Sequence, residues 1–205
     1  MIEIVDAKFV TSAPTIELAP ENEYQNEVVF MARSNVGKSS LLNALTNHKG
    51  LAKVSSTPGK TQLINYFDVT FMNRENEHKA VAPFVDLPGF GYAKVSKSLK
   101  ANWEKNLTDF IVARKQILIF VHLIDARHPN LEIDRSVENF LLEHATEDQV
   151  IIQVFTKIDK LNQKEQNLLR RQFPNALMLS SSKKRGIAQL NQTLYEILFK
   201  EESDG

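Results

Sequence analysis

The segment around residue 35 constrains this chain more than any other. A short β-branched and apolar run, 27–32, is followed at once by Arg33-Ser34-Asn35-Val36-Gly37-Lys38-Ser39-Ser40 and a helical pattern over 37–47. Strand, loop and helix in that order match the phosphate loop G-x-x-x-x-G-K-[ST], with Ala32 in the place of the first glycine. Backbone N–H groups of such a loop and of the helix N-terminus converge on anionic oxygens. Lys38 is then set to reach β- and γ-phosphates and the Ser39 hydroxyl to reach magnesium, while Ala32, Arg33, Ser34, Asn35, Val36, Gly37 and Ser40 line the loop. Ala32 is tolerable at negative φ; at positive φ its methyl group would weaken nucleotide binding.

The remainder alternates short β-branched or aromatic runs with longer helical stretches. Strands are expected at 27–32, 63–71, 79–86, 116–125, 149–156 and 176–179, and helices at 37–47, 96–114, 130–144, 163–172 and 187–199. In the last helix Ile187, Leu190, Leu194 and Ile197 or Leu198 recur at steps of three and four, a single buried stripe. The run 117–124 is almost wholly apolar, as when helices cover both faces of a sheet. The polar segment 72–78 joins two strands as a hairpin. The expected fold is α/β in three layers: a mostly parallel six-stranded sheet with one antiparallel edge strand and helices on both faces. Residues 1–26, with Pro14 and Pro20, are expected to be an extended lead-in, 27–200 the nucleotide-binding domain and 201–205 a disordered tail.

Charge excludes little. Lys plus Arg equals Asp plus Glu at 25 each, so net charge gives no argument for a polyanionic partner. Basic residues do gather locally, at Lys94, Lys97, Lys100, Lys105, Arg114 and Lys115, and acids dominate 128–149; either segment can be a solvated helix face. Cysteine is absent, which rules out disulfides and thiolate metal sites. No signal peptide is expected at the start, and the run 117–124 is far short of the ~18 residues that a membrane helix needs; a cytoplasmic protein is expected. Seven glycines are about half the usual share of ~7%, and Gly37, Gly59, Gly89, Gly91 and Gly186 all stand in candidate loops.

Four further segments carry chemistry. Asp86-Leu87-Pro88-Gly89 follows an apolar strand; an aspartate there can hold magnesium through water, and the Gly89 N–H can turn toward a γ-phosphate. The segment 48–62 contains Thr57-Pro58-Gly59-Lys60-Thr61-Gln62, with Leu63 next, and no acid. A threonine there can bind magnesium by its hydroxyl and the γ-phosphate by its N–H, and Thr57 and Thr61 both qualify. Thr156-Lys157-Ile158-Asp159 closes another apolar strand. The Asp159 carboxylate can accept from guanine N1–H and N2–H₂, donors that adenine lacks; such sites discriminate by roughly 10⁴. Lys157 can lay its stem over the ring. Thr156 stands where this motif usually has asparagine. Leu179-Ser180-Ser181-Ser182 can offer backbone N–H groups to guanine O6. The phosphate loop and the segments at Asp86, Thr156 and Leu179 stand in order, each at the C-terminal end of an expected strand, where ligands bind in open α/β sheets, and together they are far more specific than any one.

These segments, Arg-Ser-Asn-Val-Gly-Lys-Ser-Ser, Thr-Pro-Gly-Lys-Thr-Gln, Asp-Leu-Pro-Gly-Phe-Gly-Tyr-Ala, Thr-Lys-Ile-Asp and Ser-Ser-Lys-Lys, resemble the EngB family of bacterial GTPases. The likeness runs from about Val5 to Leu198; Phe90-Gly91-Tyr92-Ala93 and Thr156 are particular to that family, and Ala32 departs from it. The resemblance implies a monomeric, Ras-like P-loop GTPase that takes GTP or GDP with magnesium and acts in late assembly of the large (50S) ribosomal subunit, on its RNA and proteins. It also implies a need for the protein in normal cell division and septation. It maps the magnesium threonine to Thr61, beside Ser39 and Asp86. Asn35 occupies the position that related GTPases use on potassium, so potassium-stimulated turnover is an expectation.

Asn35, Lys38, Thr61 and Gly89 are thus the candidate catalytic residues. Phe90 stands where a glutamine would orient the attacking water, so slow intrinsic hydrolysis, on the order of 10⁻³ s⁻¹ or below, is expected. The basic segments 94–115 and 183–185 and the acid-free segment 48–62 would contact ribosomal RNA phosphate. A small-molecule phosphotransferase would need a lid, and no insertion is long enough for one. A nucleotide-gated scaffold or a division regulator acting away from ribosomes remains an alternative.

Overall fold

The computed structural model describes residues 1–21, 26–52, 63–90 and 97–199, with the backbone alone for 97–104. Its strands are β1 (Ile2–Ala13), β2 (Glu27–Ala32), β3 (Ile64–Asn73), β4 (His78–Asp86), β5 (Ile117–Asp125), β6 (Val150–Thr156) and β7 (Leu177–Met178). Its helices are α1 (Lys38–Leu45), α2 (Lys97–Ala113), α3 (Glu132–His144), α4 (Gln163–Gln172) and α5 (Ile187–Leu198). The strands form one sheet in the order β1-β3-β4-β2-β5-β6-β7. Pairs from β4 through β7 are parallel, and β3 runs antiparallel to both of its neighbours.

All six expected strands and five expected helices are present. One expectation is corrected: the sheet has a seventh strand, and β1 rather than β3 forms that edge. Residues 2–13 are not a loose lead-in. Ile2, Ile4, Ala7 and Ala13 are buried and join the core. The alternation that marks a strand is broken twice, by register shifts between Ile4 and Asp6 and between Phe9 and Thr11. Each extra residue turns the following side chains to the other face, which erases the period-two pattern.

The pleat of β2 explains the layers. Val28, Phe30 and Ala32 face one way, into a core shared with Leu41, Leu42 and Leu45 of α1 and Leu190, Leu194 and Leu198 of α5. Val29 and Met31 face the other way, onto Phe110 and Ile111 of α2 and Leu141 of α3. α4 closes a smaller cluster with Leu169 against Ile124 and Phe155. The stripe expected on α5 is the one buried: Ile187, Leu190, Leu194 and Leu198.

A second correction concerns the basic segment. Arg114 is not a surface cation. It is 7% exposed, donates through Nε and Nη2 to Glu27 at 2.8 and 2.6 Å, and gives Nη2 to the Pro20 carbonyl at 3.0 Å. Its guanidinium also lies 5.4 Å from the Tyr66 ring centre. Glu27 is a partner 87 residues earlier, so nothing local in the sequence marks the pair. Among the described residues no helix is long and apolar enough to cross a membrane. The tail expected at 201–205 lies outside the described residues.

Candidate functional site

Four parallel strands, β2, β4, β5 and β6, deliver their C-terminal loops to one edge of the sheet. The phosphate loop leaves β2 at Ala32. That residue is fully buried within the strand and is not among the positive-φ positions, so the departure from glycine carries no backbone strain. Asn35 (φ 65°) and Gly37 (φ 105°) are left-handed and Val36 between them is not. This alternation turns successive N–H groups into one concavity suited to an anion. At φ 105° any side chain on Gly37 would be strained, and Gly37 is also the N-cap of α1.

Lys38 forms an ion pair with Asp86, both largely buried, and Asn65 Nδ2 lies 3.4 Å from the other Asp86 oxygen. The backbone after Asp86 is sewn to the phosphate loop. Leu87 N–H donates to Phe30 O (3.2 Å), Phe90 N–H to Ala32 O (3.1 Å) and Ser34 N–H to Phe90 O (3.0 Å). Pro88 and Gly89 lie in this loop, with Gly89 packed against Ser34. The Ser34 hydroxyl is buried with no partner among the described residues. Phe90 is 4% exposed and its ring lies 6.3 Å from that of His122, so the side chain faces the core.

On the base-reading side, the Thr156 hydroxyl donates to Val36 O at 2.8 Å and lies 3.3 Å from Ile124 O. Lys157, itself left-handed at φ 59°, donates to Asn35 O at 2.6 Å. Ile158 is buried, and its N–H donates to Leu179 O at 3.3 Å. The Ser180 hydroxyl donates to Asp159, which holds that carboxyl below its usual range, and Ser180 Oγ accepts the Lys183 N–H at 3.2 Å. Ser181 follows in the same turn, and Ser180 pairs with Arg185 across it. Gly186 closes that turn: at φ 75° a Cβ would stand 2.6 Å from Met178 O, so no other residue fits unmoved.

The structure therefore brings Ala32 to Ser40, Asp86 to Gly89, Thr156 to Asp159 and Leu179 to Ser181 into one crevice. Leu63 is half-buried just before β3. Thr57, Gly59, Lys60, Thr61 and Gln62 lie outside the described residues, as do Gly91, Tyr92 and Ala93. Two carboxylates that no motif flags also belong here. Asp125, ending β5, accepts from Lys157 Nζ at 3.0 Å. Asp134 on α3 is 1% exposed and faces Arg33 Nε at 3.5 Å; burial pushes its carboxyl upward against the pull of Arg33. For Asp125 the signal existed in its place at a strand C-terminus; for Asp134 none did.

Ser39 and Asp86 are hard oxygen donors that fit magnesium, a cation that keeps several waters and takes phosphate oxygens as further ligands. Such a site needs no all-protein cage, and among the described residues no group of three or more His, Cys, Asp or Glu forms one.

Comparison with known proteins agrees with this geometry. The family model described as "50S ribosome-binding GTPase" matches residues 27–157. The "Probable GTP-binding protein EngB" of Aliarcobacter butzleri (strain RM4018) is 56% identical, over 96% of this chain and 98% of its own. That of Campylobacter lari (strain RM2100) is 51% identical, over 93% and 94%. A crystal structure of a probable GTP-binding protein engB superposes with a TM-score of 0.62 at 24% identity, over 85% of this chain and all of its own, and supports the fold. With the four motifs in one crevice and likeness over almost its whole length, the chain belongs to the EngB family of GTP-binding proteins, GTPases of the P-loop fold.

Proposed function

We propose that this crevice binds GTP with magnesium and works as a slow switch in late assembly of the large ribosomal subunit. The observation that carries the reading is the meeting of Asp159 and the phosphate loop across one short bridge. Asp159 is oriented by Ser180, and the adjacent Lys157 reaches the Asn35 carbonyl. An ionised, oriented carboxylate suits the paired donors of guanine N1–H and N2–H₂, and the concave loop beside it suits the phosphates.

In this reading Lys38 contacts the β- and γ-phosphates, exchanging Asp86 for the nucleotide. Ser39, Thr61 and Asp86 would hold magnesium, which would neutralise charge on the phosphate oxygens. Gly89 presents its N–H to the γ-phosphate. Asn35 serves a potassium ion beside the phosphates, so turnover in potassium should exceed that in sodium; equal rates would remove that role. Phe90, packed into the core, cannot orient water. Hydrolysis by the protein alone should therefore be slow, on the order of 10⁻³ s⁻¹ or below, until a partner completes the site.

The ribosomal target is supported by the description of the matching family and by the exposed cations Lys183, Lys184 and Arg185 beside the base-reading turn. The protein is a cytoplasmic monomer in this reading, and a requirement in division and septation follows from its ribosomal role. Calorimetry with GDP and ADP, followed by co-sedimentation with 50S subunits in GTP or GDP at two salt concentrations, tests both halves. Guanine-selective uptake and GTP-dependent, salt-sensitive co-sedimentation are expected. Equal affinity for ADP would overturn the nucleotide assignment, and salt-independent or GTP-independent sedimentation the ribosomal one.

A further inference from the structure

Asp125 ends β5 and is 3% exposed, yet its carboxylate accepts four hydrogen bonds. Its Oδ1 accepts the Arg127 backbone N–H and Arg127 Nε, both at 3.0 Å. Its Oδ2 accepts Arg127 Nη2 at 2.8 Å and Lys157 Nζ at 3.0 Å. Burial pushes this carboxyl upward, but the bonds from Arg127 and Lys157 outweigh it and hold it well below the usual carboxylate range. The Lys157 ammonium has one further acceptor, the Asn35 carbonyl of the phosphate loop at 2.6 Å. A continuous chain of charge-assisted contacts thus runs from half-exposed Arg127 through buried Asp125 and partly exposed Lys157 to the phosphate loop.

Lys157 needs such a tether. Its backbone is left-handed, a region that a lysine seldom occupies, so neighbouring contacts must fix it. Its use in base recognition depends on where its four-carbon stem lies, and the stem is positioned by the ammonium at its end. A carbonyl alone is a neutral acceptor. The Asp125 carboxylate adds a full opposite charge, so the ammonium is held by an ion pair as well as by the carbonyl.

We propose that Asp125 is a positioning residue for guanine-nucleotide binding. It holds the Lys157 ammonium on the Asn35 carbonyl, locks the base-reading turn to the phosphate loop, and is itself oriented by the Arg127 fork. The proposal rests on the reading of this crevice as the nucleotide site. A purely architectural Asp125 would instead serve the turn that follows β5 through the Arg127 N–H, and would not act through Lys157.

A double-mutant cycle on the full chain separates the two. Release of methylanthraniloyl-GDP is followed by stopped flow in wild type, Asp125→Asn, Lys157→Gln and the pair. Asn keeps an acceptor for the Arg127 N–H and loses the charge. Asp125→Asn should speed release by about ten- to a hundred-fold, the equivalent of one charge-assisted hydrogen bond. In the Lys157→Gln background the same change should add less than about twofold. Asp125→Ser, whose hydroxyl also supports the turn but does not reach the lysine, should behave like Asp125→Asn and covers the case in which one variant does not fold. Release unchanged in both Asp125 variants, or effects that multiply fully with Lys157→Gln, overturns the proposal. A wild-type protein that takes up no methylanthraniloyl-GDP overturns the nucleotide-site reading instead, so the two failures are distinct.

Discussion

The single hydroxyl of Thr156 serves two neighbouring elements. It reaches the Val36 carbonyl and so ties the end of β6 to the phosphate loop, and it lies close to the Ile124 carbonyl of β5. A longer asparagine is therefore not required to hold the two loops together. In the proposed reading Asp159, three residues on, is left to face the guanine. Its oxygens are shared with Ser180 and, at 3.8 Å, Lys160, and the carboxyl is kept ionised. Replacing it by asparagine exchanges one acceptor for a donor. Guanine would then face a donor with a donor, whereas xanthine presents a carbonyl at the same position. Asp159→Asn should weaken GDP binding by about a hundred-fold or more, from one lost charge-assisted bond and one unpaired group, and should favour xanthosine diphosphate. Calorimetry with the two nucleotides on wild type and variant measures both effects; unchanged preference for GDP would place base recognition elsewhere.

Among the elements, β2 shows how a strand's ends can be fixed by very different forces. Its C-terminus feeds the phosphate loop, while its N-terminus buries Glu27 against Arg114, just beyond α2. The same guanidinium donates to the Pro20 carbonyl and so anchors that residue to the end of α2. Burial pushes the nearby Tyr66 hydroxyl up to about 12, so it carries no competing charge. Arg114→Met leaves a carboxylate buried and unpaired and should cost about 3–5 kcal/mol in urea unfolding, whereas Glu27→Leu with Arg114→Met should be close to neutral or stabilising. Nothing short-range announced this pair. The sequence disclosed what is periodic or local: the α5 stripe, the β2 alternation and every motif loop that the structure describes. It hid β1, because two bulges break its alternation. It also hid the roles of Arg114 and Asp134, whose partners lie 87 and 101 residues away, and the reach of Asp125 to Lys157, 32 residues on.

The whole molecule shares one folding transition only if its layers share a core, and His122 sits where that can be tested. It lies on β5 opposite Met31 of β2, near the Phe90 ring, and is 1% exposed. Neither ring nitrogen has a partner among the described residues. Burial therefore disfavours the imidazolium and lowers its pKa to about 4. In the unfolded chain the same ring titrates near 6.5. Between those values the unfolded state binds a proton that the folded state does not, so stability present above pH 6.5 is lost as pH falls toward 4 and no further below it. Two and a half pH units correspond to about 3 kcal/mol, a large share of the stability of an ordinary domain. The carboxyl of Asp125 acts in the same direction but only at lower pH, because its unfolded value is already near 4. Urea unfolding at pH 7, 6, 5 and 4 should show the midpoint dropping through this window, with fluorescence and circular dichroism coincident. His122→Leu, which fills the site with an apolar side chain, should flatten that drop without moving the low-pH carboxylate transition. If the variant loses stability as steeply as wild type between pH 6.5 and 4, the buried imidazole is not what links protonation to the cohesion of the two helical layers across the sheet.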